Sequence, residues 1–92
     1  MVVTEKEAAL RLLELDGALT DLLLARGLLE RLPEAYRLVI IPLDEPEVAA
    51  YALRWAQAPN PEGVPLVYAL FQEGKPQALL LPGGEALVPQ AA

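Results

Sequence analysis

Ninety-two residues with a formal net charge of −6 make one domain, residues 1–92, with a modest core, and they offer no basic stripe for nucleic-acid phosphates. The sequence holds no cysteine, histidine or serine. That removes disulfides, thiolate metal sites, the usual general base near neutral pH and two of the three common side-chain nucleophiles.

Apolar residues make up 54% of the chain, above the roughly 45–50% usual for soluble domains even when tyrosine is left out and glycine counted in. The surplus predicts apolar surface left over on a lone monomer, a mark of contact sites. No apolar run approaches the ~20 residues of a membrane span, and nothing before Thr4 resembles a basic leader. The expectation is a soluble cytoplasmic chain with no membrane contact. Nine prolines against a single asparagine resemble the loop economy of thermostable proteins.

The chain opens with Thr4 and, three residues later, Glu7. This reciprocal capping box predicts a helix over about 5–15, ended by Gly17 in the left-handed region. Ala8, Ala9, Leu12, Leu13 and Leu15 form its apolar side, and Glu7, Arg11 and Glu14 a solvated face. A second helix is predicted over 20–32, stopped by Pro33, with Gly27 inside it at a close backbone contact. YRLVIIPL, residues 36–43, reads as a strand covered on both faces, with pairing ending on one side at Pro42. Asp44 to Glu47 repeats the capping-box spacing and starts a helix over 46–57, whose stripe Val48, Tyr51, Ala52 and Trp55 faces the core.

APNPEG is a turn-rich connector. Residues 64–71 and 77–81 then form an antiparallel hairpin around a type I turn with Gly74 left-handed. Both faces of its first strand are apolar, which calls for helices on both sides of the sheet. Gly83-Gly84 reads as a turn, with an anion-holding nest as the rarer alternative. The tail EALVPQAA is too short for more than one turn of helix.

Thirteen carboxylates leave acid–base chemistry conceivable, yet no spacing singles out a pair. Asp44, Glu45 and Glu47 lack the spread and central glycine of a calcium loop, and the helix macrodipole explains them more simply. Among the amphipathic aromatics, Trp55 ends its stripe beside a loop and is the best candidate for partial exposure.

From Leu22 onward the order helix, strand, helix, Gly-Val-Pro step, antiparallel hairpin, Gly-Gly resembles the C-terminal two-thirds of the thioredoxin-like fold, over residues 22–84. GVPLVYALFQEG looks like that family's Gly-aliphatic-Pro strand start followed by its Phe-x-x-Gly turn, and LVIIPLD precedes a helix as in the family. The resemblance implies that Pro65 is a cis-proline and Val64 the neighbour whose backbone accepts an extended partner peptide. Asp16-Gly17-Ala18-Leu19 stands in the region of the Cys-x-x-Cys, so no disulfide exchange is implied. The family's preceding strand would fall on ALRLLEL, residues 9–15, where the capping box predicts helix.

The expected fold is therefore α/β or α+β: three helices (about 5–15, 20–32 and 46–57) and a small mixed sheet of at least three strands, including the hairpin 64–71 and 77–81. The expected function is non-catalytic. It is that of a small interaction module without metal or cofactor, a thiol-less thioredoxin-like domain that self-associates as a homo-oligomer or binds a protein partner through Trp55, Val64 and Pro65. The competing reading is a small enzyme or ligand-binding protein using carboxylates and tyrosines.

Overall fold

The computed structural model describes residues 3–88. In chain order the elements are α1 (Glu5–Arg26), a 3-10 turn (Leu29–Arg31), β1 (Arg37–Pro42), α2 (Pro46–Ala56), β2 (Leu66–Gln72), β3 (Lys75–Leu80) and β4 (Ala86–Leu87). The fold is α+β, with one four-stranded mixed sheet in the order β1-β2-β3-β4. β1 and β2 run parallel around α2, and β2, β3 and β4 are antiparallel neighbours.

The first two predicted helices, 5–15 and 20–32, are in fact one helix. Thr4 caps it through the reciprocal box with Glu7, but Gly17 does not end it. Leu15, Leu19 and Leu23 are buried at a spacing of four residues on both sides of Gly17, while Asp16, Gly17 and Ala18 are exposed. Burial of that stripe outweighs the cost of a glycine in a helix, about 1 kcal/mol. The helix ends ten residues later than Gly17, at Gly27, which is left-handed with φ 65°. Leu28 N donates to Leu23 O at 2.9 Å, the six-to-one bond of a Schellman end. Gly27 is thus a terminator, not a close-packing glycine: nothing lies within 4 Å of the place its Cβ would occupy. Beyond it only Leu29–Arg31 coil again, so the described residues hold two α-helices rather than three.

The sheet core follows from register. Cross-strand partners share a face, which places Ile40, Ala69, Leu79 and Leu87 in one row and Pro42 and Phe71 in another. Ile40, Val67, Ala69, Phe71 and Leu79 pack against Leu15, Leu19 and Leu23 of α1 as one cluster. On β2 the two faces differ sharply. Val67, Ala69 and Phe71 are 0% exposed, whereas Leu66, Tyr68 and Leu70 on the reverse face are only half-buried. Cover on the reverse face is concentrated at β1, where Val39, in the row of Tyr68, is 4% exposed and Val48 and Ala52 of α2 are equally buried, and it thins out across β2.

The hairpin turn is tighter than predicted. Glu73 and Gly74 both have positive φ, 52° and 76°, the geometry of a two-residue type I′ turn, whose twist suits the flanking strands. Asp44 Oδ2 accepts a hydrogen bond from Glu73 N at 3.1 Å, tying the turn to the end of β1. Between Leu70 and Phe71 the register slips, a bulge that seats Pro76 in the ladder. The predicted helical turn in the tail is instead the short strand Ala86–Leu87; residues 89–92 of that tail lie outside the described residues. Among the described residues, no helix is long and apolar enough to cross a membrane.

Candidate functional site

Trp55 lies on the last turn of α2, four residues after Tyr51, so the two rings stack along one helical face. Their centroids are 6.3 Å apart in an edge-to-face arrangement, and the Arg54 guanidinium lies 5.6 Å from the Tyr51 ring centre. Tyr51 is half-buried. Trp55 is 61% exposed, as its place beside the loop predicted.

Facing these aromatics are Ala9, Leu12, Leu13 and Asp16 of α1, which recur at three- and four-residue spacing, and Leu38 and Ile40 of β1 lie between. This apolar groove continues past Leu12 and Trp55 to Ala52, Ala56, Ala58 and Pro59, where it encloses about 470 Å³. Leu13, at 66% exposure, and Trp55 stand up from it. Helix α1 carries apolar side chains over more of its circumference than the sheet covers: Leu15, Leu19 and Leu23 meet the sheet, while Leu12 and Leu13 line the groove. That excess width was the signal in the sequence, hidden because Ala8, Ala9, Leu12, Leu13 and Leu15 were counted as a single apolar side.

Polar contacts fix the groove walls. Arg11 of α1 meets Glu45, which precedes α2, with Nη2 to Oε2 at 2.8 Å and Nε 3.0 Å from both carboxylate oxygens. The hydrogen bond to Glu45 is the main cause that holds the Arg11 guanidinium pKa above its ordinary value. Arg11 is thus no part of a purely solvated face. At the far end Arg37 donates from Nη1 to Ala58 O at 3.2 Å and from Nη2 to Pro59 O at 3.1 Å, anchoring the connector that closes the groove.

Val64 and Pro65 stand apart from it, and neither lines the groove. Among the described residues no peptide bond is cis, so Pro65 is an ordinary trans proline ahead of β2. The Val64 carbonyl accepts the Asn60 side-chain amide at 2.8 Å, and Pro65 O accepts Arg37 N at 2.9 Å. The backbone that the thioredoxin-like resemblance would offer to an extended peptide is engaged within the chain. Of the three sequence-predicted partner residues, only Trp55 belongs to the groove.

The acidic trio likewise disperses. Asp44 holds the hairpin turn, Glu45 holds Arg11, and Glu47 Oε2 accepts Val3 N at 2.6 Å. Among the described residues no three His, Cys, Asp or Glu side chains are grouped to hold a metal. At Gly83-Gly84, Gly84 N donates to Leu81 O at 3.1 Å and Leu81 N to Glu85 O at 2.8 Å. This is the hydrogen bonding of a turn. Glu85 in addition pairs with Arg31.

Residues 7–84 match the family described as "Family of unknown function (DUF5647)". The chain belongs to that family. A crystal structure of a hypothetical protein from Thermus thermophilus is 63% identical over 84% of this chain and 98% of that one, with a TM-score of 0.73. No curated protein matches. This DUF5647 chain thus shares its matched region, from α1 to Gly84, with relatives whose names carry no activity.

Proposed function

We propose that this DUF5647 chain is a non-catalytic protein-interaction module that associates with a protein partner or with itself. The observation that carries the reading is the groove between α1 and α2, with Trp55 and Leu13 mostly exposed on its rims. Large aromatic and aliphatic groups beside a preformed apolar depression are the usual anchors of protein contacts. The side chains that surround it favour binding over reaction. Among the described residues its only carboxylate is Asp16, and the nearby cation Arg37 is committed to two backbone carbonyls.

The test is site-specific photocrosslinking within the cell. A photoreactive side chain at Leu13 should give a discrete crosslinked protein species, and Trp55→Ala should diminish it. The same group at exposed Glu30 should not give it. Equal crosslinking from both positions would remove the groove as a binding site.

A further inference from the structure

The geometry points to an extended apolar segment of another protein as the occupant of the groove, added to the sheet as a fifth strand along the free edge of β1. The inference rests on the interaction reading above and names the partner it takes. In the strand order β1-β2-β3-β4, β1 is an outer strand. Arg37 N donates to Pro65 O and Leu43 N to Phe71 O, so along this parallel ladder the odd-numbered residues turn their N–H and C=O toward β2. Leu38 and Ile40 turn theirs outward, and among the described residues no partner meets them. Pro42, the next outward position, has no N–H to offer, and its C=O accepts Glu45 N at 3.1 Å.

The groove encloses that edge. Ile40 belongs to the α1 side of the sheet and Val39 to the α2 side, where Val48 and Ala52 are buried with it. Leu38, Val39 and Ile40 all line the cavity, together with Leu12 of α1 and Ala52 and Trp55 of α2. A cavity that touches both faces of an outer strand wraps around its edge. The open N–H and C=O groups are therefore its floor and the two helices its walls.

Hydrogen bonding selects the occupant. Two outward residues spaced two apart repeat the N–H and C=O pattern of a β-ladder, which an extended backbone completes and a helix, its own groups already paired, does not. A strand in this slot turns alternate side chains to Leu12 and Leu13 on one side and to Ala52 and Trp55 on the other. Both sides are apolar, so about five residues, apolar on both faces and without a central proline, match it. A second copy of this chain does not fit. Its β1 edge lies between its own helices, whose rims would meet these rims before the edges came within the ~4.8 Å of strand pairing, and its β4 edge is two residues long. Exposed Asp16 at the mouth and the net charge of −6 favour a basic residue beside the apolar run.

Hydrogen exchange of the unaltered protein tests the edge. The Leu38 and Ile40 amides should exchange at least about tenfold faster than those of Val39 and Ile41, at every protein concentration. Random dodecapeptides displayed on phage and selected on the full chain test the occupant. Enriched peptides should carry the apolar run, and Trp55→Ala should weaken their binding. One of them, made synthetically, should slow exchange at Leu38 and Ile40, and N-methylation of alternate amides in its run should weaken it at least about tenfold while methylation of the intervening amides should not. Equal protection of all four amides in the free protein would mean a closed edge and overturn the inference. Protection that appears on concentrating the protein alone would make a second copy the occupant and overturn it as well. Groove-bound peptides with no alternation, and with Leu38 and Ile40 exchanging as before, would sink the strand and leave the groove standing. If no selected peptide depends on Trp55 this inference fails, and crosslinking from Leu13 then decides the groove by itself.

Discussion

Arg11 and Glu45, thirty-four residues apart, join the two helices through a guanidinium that offers both Nε and Nη2 to one carboxylate. The pair is partly exposed, so solvent screening limits its worth. Arg11→Gln should lower the unfolding free energy by about 0.5–1 kcal/mol, and a double-mutant cycle with Glu45→Gln in urea should recover most of that as coupling. The Arg11 pKa is raised by its bond to Glu45, so the group's contribution is complete below its unfolded value and fades only as pH climbs through the still higher folded value. The coupling should therefore be the same at about pH 7 and about pH 9.

Glu73 takes a left-handed backbone at φ 52° beside Gly74 at φ 76°. Asparagine tolerates that region far better, and Asn-Gly is the preferred pair for this turn. Glu73→Asn should raise stability by about 0.5–1 kcal/mol. Gly74→Ala should lower it by about 1–2 kcal/mol through backbone strain alone, since the 3.5 Å from its Cβ to Arg11 Nη2 is ordinary contact. Urea midpoints at constant m-value would verify both signs.

The glycines of α1 should respond in opposite directions. Gly17 is exposed within the helix with open space around it, so Gly17→Ala should stabilise by about 0.8–1 kcal/mol. Gly27 terminates the helix at φ 65°, so Gly27→Ala should destabilise by about 1 kcal/mol. Were Gly17 a helix end after all, thermal melts would show a loss for both.

Scaffold and groove should separate in the same kind of measurement. Leu19 is fully buried against the sheet, and Leu19→Ala should cost about 2–5 kcal/mol. Trp55→Ala removes a mostly exposed ring and one edge-to-face contact, and should cost under about 1 kcal/mol. A large loss at Trp55 in guanidinium unfolding would make it a core residue and remove it from the groove argument.

Local signals in this sequence were readable where local physics decides. The Thr4–Glu7 box and the pairing of β2 with β3 lie in short stretches whose chemistry is self-sufficient. The start of α2 at Pro46 was placed correctly, but by an Asp44–Glu47 box that does not form: Glu45 is the cap residue, without a side-chain bond, and Asp44 and Glu47 serve Glu73 and Val3 instead. Gly17 and Gly27 exchanged roles because the choice between them was made by Leu15, Leu19 and Leu23 meeting a sheet whose strands lie much later in the chain. The Arg11–Glu45 and Asp44–Glu73 links were invisible for the same reason, since each joins elements brought together only by folding. Trp55 was legible as exposed. Its groove was not, because Leu12 and Leu13 look the same in a list of apolar positions whether they face a core or line a channel.

The last strand, Ala86–Leu87, is only two residues long. Segments as oily as Leu66–Gln72 invite sideways fusion into fibrils when a long outer ribbon is available to template them. A stub of two residues gives an incoming ribbon almost nothing to grip, so growth of the sheet past this margin lacks a template.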